Sequence, residues 1–157
     1  MKKYILAGLF FFLFVISGTA CSSATSSDTR AAQDQAFLEQ NAQRPDVTVT
    51  ESGLQYRVIE QGEGPSPSAS DRVRVHYRGK LVNGTEFDSS YSRNQPAVFP
   101  LQGVIAGFRE GIMLMNVGST YEFVMPANLA YGNTPPPGSG IHPGAVLIFE
   151  VTLLEIL

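Results

Sequence analysis

The chain has 157 residues, 43% of them hydrophobic and 16% charged, which suits one modest domain with extensions and excludes a chain disordered throughout. Eleven basic residues against 14 acidic give a formal charge of -3; setting aside Lys2 and Lys3, which lie in a leader, leaves nine against 14, or -5, so the chain lacks the electrostatic footprint of a nucleic-acid-binding protein. A single cysteine excludes an intrachain disulfide, and two histidines 66 residues apart, His76 and His142, do not furnish a protein-only zinc site.

The leader reads MKKYILAGLFFFLFVISGTAC. Two lysines precede an apolar run from Tyr4 to Ile16, and small residues lead to Cys21. That order describes an export signal, and the run is short for a membrane span. Gly18-Thr19-Ala20 would suit an ordinary signal peptidase, in which case the cysteine is coincidental. The sole cysteine at the next position instead resembles a bacterial lipoprotein signal, although such signals usually carry leucine where Gly18 stands. The expectation is a lipoprotein-type signal peptide over 1–20 and lipid on Cys21. Ser22, where aspartate would retain a lipoprotein at the inner membrane, resembles the sorting signal for the outer membrane of Gram-negative cells.

SSATSSDTR, residues 22–30, is polar and without apolar period, and reads as a flexible tether. Residues 31–43, AAQDQAFLEQNAQ, are helix formers that Asp28 or Thr29 could cap and Pro45 would stop. With few apolar residues beyond Phe37 and Leu38, this is a short helix on the shoulder of the domain, not a dimerising coiled coil, and a monomer is expected.

Strands begin near Val47. LQYRVIE (54–60) alternates, with Leu54, Tyr56 and Val58 on one face. GEGPSPSASD is a loop by composition. RVRVHYR (72–78) alternates strictly, turning Val73, Val75 and Tyr77 inward and Arg72, Arg74, His76 and Arg78 to water; His76 is taken as solvated. Asn83-Gly84 predicts a two-residue hairpin with positive φ at both positions. VIAGFREGIMLM (104–115) switches period: Ile105, Phe108, Ile112 and Met115 share one helical face. Gly107 and Gly111 are costly inside a helix and point to close approach of a sheet or ligand. Asn116-Val117-Gly118 ends the helix. TYEFVMP and AVLIFEVTLLEIL are two more strands, the latter with Ala145, Leu147, Phe149, Val151 and Leu153 on one apolar face. The long glycine- and proline-rich loop between them is of a length that usually carries function. One amphipathic helix against an antiparallel sheet is an α+β domain.

VHYRGKLVNGTEFDSSYSRNQP, VIAGFREGIMLMNVGS and the pair LAYG and GIHPGAVLIFEVTLLEI resemble the FKBP-type peptidyl-prolyl cis-trans isomerases, in order and from about Leu54 to Ile156. The lead-in FLEQNAQRPDVTVTESGLQYRVIEQGEG resembles the exported bacterial branch that includes the macrophage-infectivity-potentiator proteins, whose long helical dimerisation segment would be missing or vestigial here. The resemblance implies a bent antiparallel sheet wrapped around one short helix over residues 47–157, with residues 21–46 as lipidated cysteine, tether and helix. It implies an isomerase of prolyl bonds in exported polypeptides, needing no cofactor or metal, open to macrolide inhibitors, and lodged in the cell envelope, on the outer membrane facing the periplasm.

Carried over by motif, the proline cup comprises Tyr77, Phe87, Phe99, Val104, Ile105, Phe108, Ile141 and Phe149, with Asp88 and Tyr131 as the catalytic groups and Arg93 supporting Asp88. Phe108 stands where many members have tryptophan, leaving a roomier floor and no indole N–H. Ile141-His142-Pro143 replaces a commoner Ile-Pro-Pro, and Pro135-Pro136-Pro137 departs from a glycine-rich flap. Taken singly, each aromatic could be plain core. Asp88 beside Phe87 is harder to assign to packing, because a buried carboxylate must be paired; Tyr77 and Arg93 are the candidate partners. That trio could act on the rotating bond, pin its loop, or both. Two functions remain open on the residues: a folding isomerase, or a module that holds proline-containing partners without turnover.

Overall fold

The computed structural model describes residues 26–157; the leader, Cys21 and the first tether residues lie outside that range. Seven antiparallel strands form one sheet in the order β1-β2-β6-β7-β3-β4, with β5 beside β4 along the same edge of β3. They are β1 Thr48–Val49, β2 Gln55–Glu60, β3 Arg72–Leu81, β4 Glu86–Ser89, β5 Ala97–Pro100, β6 Thr120–Met125 and β7 Leu147–Ile156. Helix α1 spans Ser26–Ala42 and α2 Ala106–Met113. Register shifts at Val58/Glu60, Arg74/Val75 and Gly79/Lys80 bend the sheet, as bulges do.

The concave face holds the core. Val73, Val75 and Tyr77 point inward from β3, and Leu147, Phe149, Val151 and Leu153 from β7, as strict alternation requires. Helix α2 presses Phe108 and Ile112 into them. Its two glycines permit the contact: a Cβ on Gly111 would sit 2.6 Å from the Phe123 ring, and one on Gly107 2.9 Å from Met125 Sδ. The tax on helix propensity is therefore spent on approach to β6, one of the two alternatives the sequence left open.

Four expectations need correction. Helix α1 starts at Ser26, so residues 26–30 are helical and not tether; Asp28 lies in its first turn, where a carboxylate favours the helix. The β3–β4 connection is not a two-residue hairpin: Leu81 N–H bonds Thr85 O and Gly84 N–H bonds Leu81 O, both at 2.9 Å. Only Gly84 has positive φ, +86°, because the third loop residue takes the left-handed position after an ordinary turn. In β2, Tyr56 packs on the core but Val58 is exposed, since the bulge at Val58/Glu60 turns the strand end away. His76 is half-buried, stacked on Tyr91 at 4.7 Å with Nδ1 2.9 Å from Ser90 Oγ.

Candidate active site

Tyr77 is the centre from which the site is built. β3 turns it inward, and its neighbour β7 supplies Phe149, the register partner of Gly79. On the other edge of β3, β4 brings Phe87 and Asp88, and β5 brings Phe99. The entry to α2 adds Val104, Ile105 and Phe108, and the long loop after β6 adds Tyr131. With Gly103, these nine side chains line a cavity of about 280 Å³. Ile141, expected in the same cup, is half-buried against the hydrophobic core but is not among the residues lining the cavity.

The walls are a ring of aromatic edges and faces. Phe108 meets Tyr77, Phe99 and Phe149 edge-on, at 6.1, 5.9 and 5.3 Å between centroids, and Phe87 meets Phe149 at 5.5 Å with planes 86° apart. Such geometry sets the positive edge of one ring against the negative face of the next. Gly79 makes the Phe87–Phe149 contact possible: a Cβ there would fall 2.6 Å from Phe87 Cζ and 2.9 Å from Phe149 Cε1. The sequence reading stopped at Arg78 and missed this residue. A glycine inside a strand was the available signal, since it marks close approach of another group.

The polar side of the cavity is one connected group. Tyr77 O–H donates to Asp88 Oδ2 at 2.5 Å, Arg93 Nη1 donates to Asp88 Oδ1 at 2.6 Å, and Arg93 Nη2 donates to the Tyr77 hydroxyl at 3.0 Å. The carboxylate is not buried as the sequence implied; its side chain keeps 41% of its exposure and that of Arg93 52%, because the group sits at the rim. Burial acts to raise the Asp88 carboxyl, but hydrogen bonds from Arg93 and Tyr77 and the Arg93 charge outweigh it and hold the group below the ordinary carboxylate range. Burial pushes the Tyr77 phenol up, and its bond to Asp88 adds to this. Burial also pushes the Tyr131 phenol up, helped by the negative charge of Asp88. Tyr131 thus stays a donor at neutral pH, and its hydroxyl makes no hydrogen bond to another described residue.

The cavity therefore offers an apolar floor and walls, one ionised acceptor already held by two donors, and one free O–H. Among the described residues no three His, Cys, Asp or Glu side chains gather to hold a metal, and no cysteine, serine or histidine lines the cavity.

Comparison with known families matches residues 64–154 to the model described as FKBP-type peptidyl-prolyl cis-trans isomerase. The chain belongs to this FKBP-type family. Residues 19–58 also match a model for the domain amino-terminal to FKBP-type peptidyl-prolyl isomerase. The chain is 55% identical over 127 residues to the FKBP-type 22 kDa peptidyl-prolyl cis-trans isomerase of Escherichia coli K12, covering 81% of this chain and 61% of that protein. It is 42% identical over 130 residues to the outer membrane protein MIP of Legionella longbeachae, covering 83% and 55%. The crystal structure of FkpA from Escherichia coli superposes with a TM-score of 0.77 at 40% identity, over 82% of this chain and 59% of that one. The chain thus spans less than two thirds of the length of these relatives. The FKBP-like architecture is the expected sheet around α2, with α1 as a second helix.

Proposed function

We propose that the chain is a peptidyl-prolyl cis-trans isomerase that assists the folding of proline-containing exported polypeptides in the cell envelope. The observation that carries this reading is the aromatic ring around a small cavity with the Asp88–Tyr77–Arg93 group and the free Tyr131 phenol on its polar side.

Rotation about an X–Pro bond breaks no σ bond. It breaks amide resonance, at a barrier of about 18–20 kcal/mol, and leaves uncatalysed times of tens to hundreds of seconds. The planar amide is strongly dipolar and the twisted amide much less so. A cavity walled by Tyr77, Phe87, Phe99, Phe108 and Phe149 therefore raises the ground state relative to the twisted state by removing water. Val104 and Ile105 complete the apolar grip on the proline ring. Tyr131 can donate to the substrate carbonyl next to the ring, and the Asp88 carboxylate can polarise the carbonyl carbon or accept from the substrate. Hydrogen bonds that fit only the twisted geometry lower the barrier, about tenfold in rate for each 1.36 kcal/mol. No nucleophile, metal or cofactor enters such a step. The same cup would receive a macrolide, with Phe108 and the flap setting its fit.

Lipid on Cys21, a signal peptide over 1–20 and attachment to the outer membrane belong to this proposal; the lipoprotein-like leader and the name of the Legionella relative support them. We assign residues 47–157 to the isomerase domain and 21–46 to lipidated cysteine, tether and helix, and take the protein as a monomer, since α1 spends its buried face on its own domain. Cys21→Ala should release the processed protein from membranes, and unchanged membrane association would remove the anchor. The activity is tested by isomerisation of a panel of X–Pro peptides. Turnover that a macrolide inhibits is expected; saturable binding without turnover would make the protein a proline-binding module instead.

A further inference from the structure

Helix α1 is held to the domain without an apolar stripe. Its buried residues are Asp34 and Asn41, one face of the helix at a spacing of two turns. Asn41 Nδ2 donates to Gln55 Oε1 at 2.8 Å, and Gln55 Nε2 donates to Leu38 O at 2.9 Å. Asp34, only 5% exposed, is satisfied through one oxygen: Oδ2 accepts from Val146 N–H at 3.0 Å and from His142 Nε2 at 2.9 Å. A buried carboxylate is retained only with such partners. None of these groups lines the cup.

Both donors to Asp34 come from the last part of the loop whose first residue is Tyr131. Gly144 N–H closes that loop on Gly132 O at 2.8 Å, next to Tyr131, and Ile141 packs on the core immediately before His142. Within residues 30–157, the other hydrogen bonds of residues 133–143 stay inside residues 131–145. Gly138 and Gly140 have positive φ, and a Cβ on either would meet nothing within 4 Å. Within residues 30–157 the loop is a flap with one polar anchor outside itself, and that anchor is the helix.

We propose that Asp34 and His142 form a latch through which α1 holds the flap, and with it Tyr131, in the substrate-binding position. The inference deepens the isomerase reading and rests on it. Asp34 and His142 are positioning residues; they act through the loop. Where only a fraction of molecules is binding-competent, apparent affinity falls by that fraction. Opening the latch lowers the fraction and leaves the chemistry of bound substrate unchanged, so KM rises while kcat holds. Because His142 reaches the helix only through Asp34, losing His142 should weaken binding no further once Asp34 is gone.

The test uses the full chain, with isomerisation of a Leu-Pro peptide and amide hydrogen exchange of residues 133–143 measured on the same samples. His142→Ala should raise KM by about threefold to tenfold, the worth of one hydrogen bond, keep kcat, and speed exchange in the flap. His142→Gln restores an N–H donor and should return both readouts toward wild type, and Asp34→Asn, which keeps an acceptor oxygen, should stay near wild type. The double variant Asp34→Ala/His142→Ala should match Asp34→Ala in KM. A His142→Ala protein with wild-type KM and flap exchange overturns the latch, as does a change in kcat alone or a failure of His142→Gln to rescue. Absence of turnover in the wild-type chain would overturn the isomerase reading instead, and flap exchange would still decide the latch.

Discussion

Replacing Asp88 by leucine separates catalysis from loop pinning. The substitution removes both acceptor oxygens at the rim. Tyr77, 5% exposed, loses the acceptor for its O–H and keeps only the Arg93 donor, 3.0 Å away. A buried donor left unmade costs about 1–3 kcal/mol. The ion pair adds little, because side chains exposed by 52% and 41% leave it screened by water, as surface pairs are. The stability loss therefore comes mainly from the Tyr77 hydroxyl, and since water can reach the rim it should lie toward the low end, a fall of several degrees in Tm. Activity should suffer more than stability: kcat/KM for a Leu-Pro or Phe-Pro peptide should drop by more than about tenfold, which is 1.36 kcal/mol of transition-state stabilisation. Asp88→Asn keeps an acceptor for Tyr77 and loses the charge, so its Tm should lie nearer wild type while its kcat/KM still falls. A well-folded Asp88→Leu protein with full activity would refute the reasoning and leave Asp88 as a pin for its loop.

Tyr131→Phe removes one O–H and keeps the ring, so kcat/KM in the same assay should fall by about threefold to tenfold with an unchanged melting curve. Gly79→Ala drives a methyl against Phe87 and Phe149; overpacking of this kind costs about 1–3 kcal/mol, and the displaced Phe87 should raise KM, both readable from thermal melts and initial rates. The pH dependence follows from Asp88. Its folded carboxyl lies below the ordinary value, so the stability it contributes is fully present above about pH 4, the unfolded value, and is lost as pH falls through the depressed folded value. The Tm gap between wild type and Asp88→Asn should stay constant above about pH 5 and close below about pH 4; a gap that widens on acidification would contradict the assignment.

Local periodicity made much of the fold legible. Val73, Val75 and Tyr77 alternate because β3 is covered on one face, and Phe108 and Ile112 step at helical spacing because α2 packs on one side; Met115, expected on the same face, is buried just past the end of the helix. Gly107 and Gly111 were readable as close-approach positions for the same reason. The cavity was legible through family motifs: Tyr77, Phe87, Asp88, Phe99, Val104, Ile105, Phe108, Tyr131 and Phe149 line it, and Ile141 does not. What stayed hidden depends on distant partners. The short strand β5 shows no alternation of its own long enough to read and exists by pairing with β3. The face of α1 is polar, so no hydrophobic pattern announces that Asp34 meets residues 108 and 112 positions later. His76 looked solvated among arginines because nothing local reveals the Tyr91 ring stacked on it. Asp88 looked buried because it follows Phe87, whereas the strand end at which it sits opens to the rim.

The central claim is that the cup accelerates rotation about the X–Pro bond by apolar enclosure and fixed hydrogen bonds, with no proton transferred in the transition state. The measurement that reaches it most directly is kcat/KM for cis-to-trans isomerisation of a Leu-Pro peptide by the full chain, compared in H2O and D2O at matched pH. The account predicts clear turnover at the same rate in both solvents. No turnover, or a marked slowing in D2O of the kind that general acid–base catalysis produces, would contradict it.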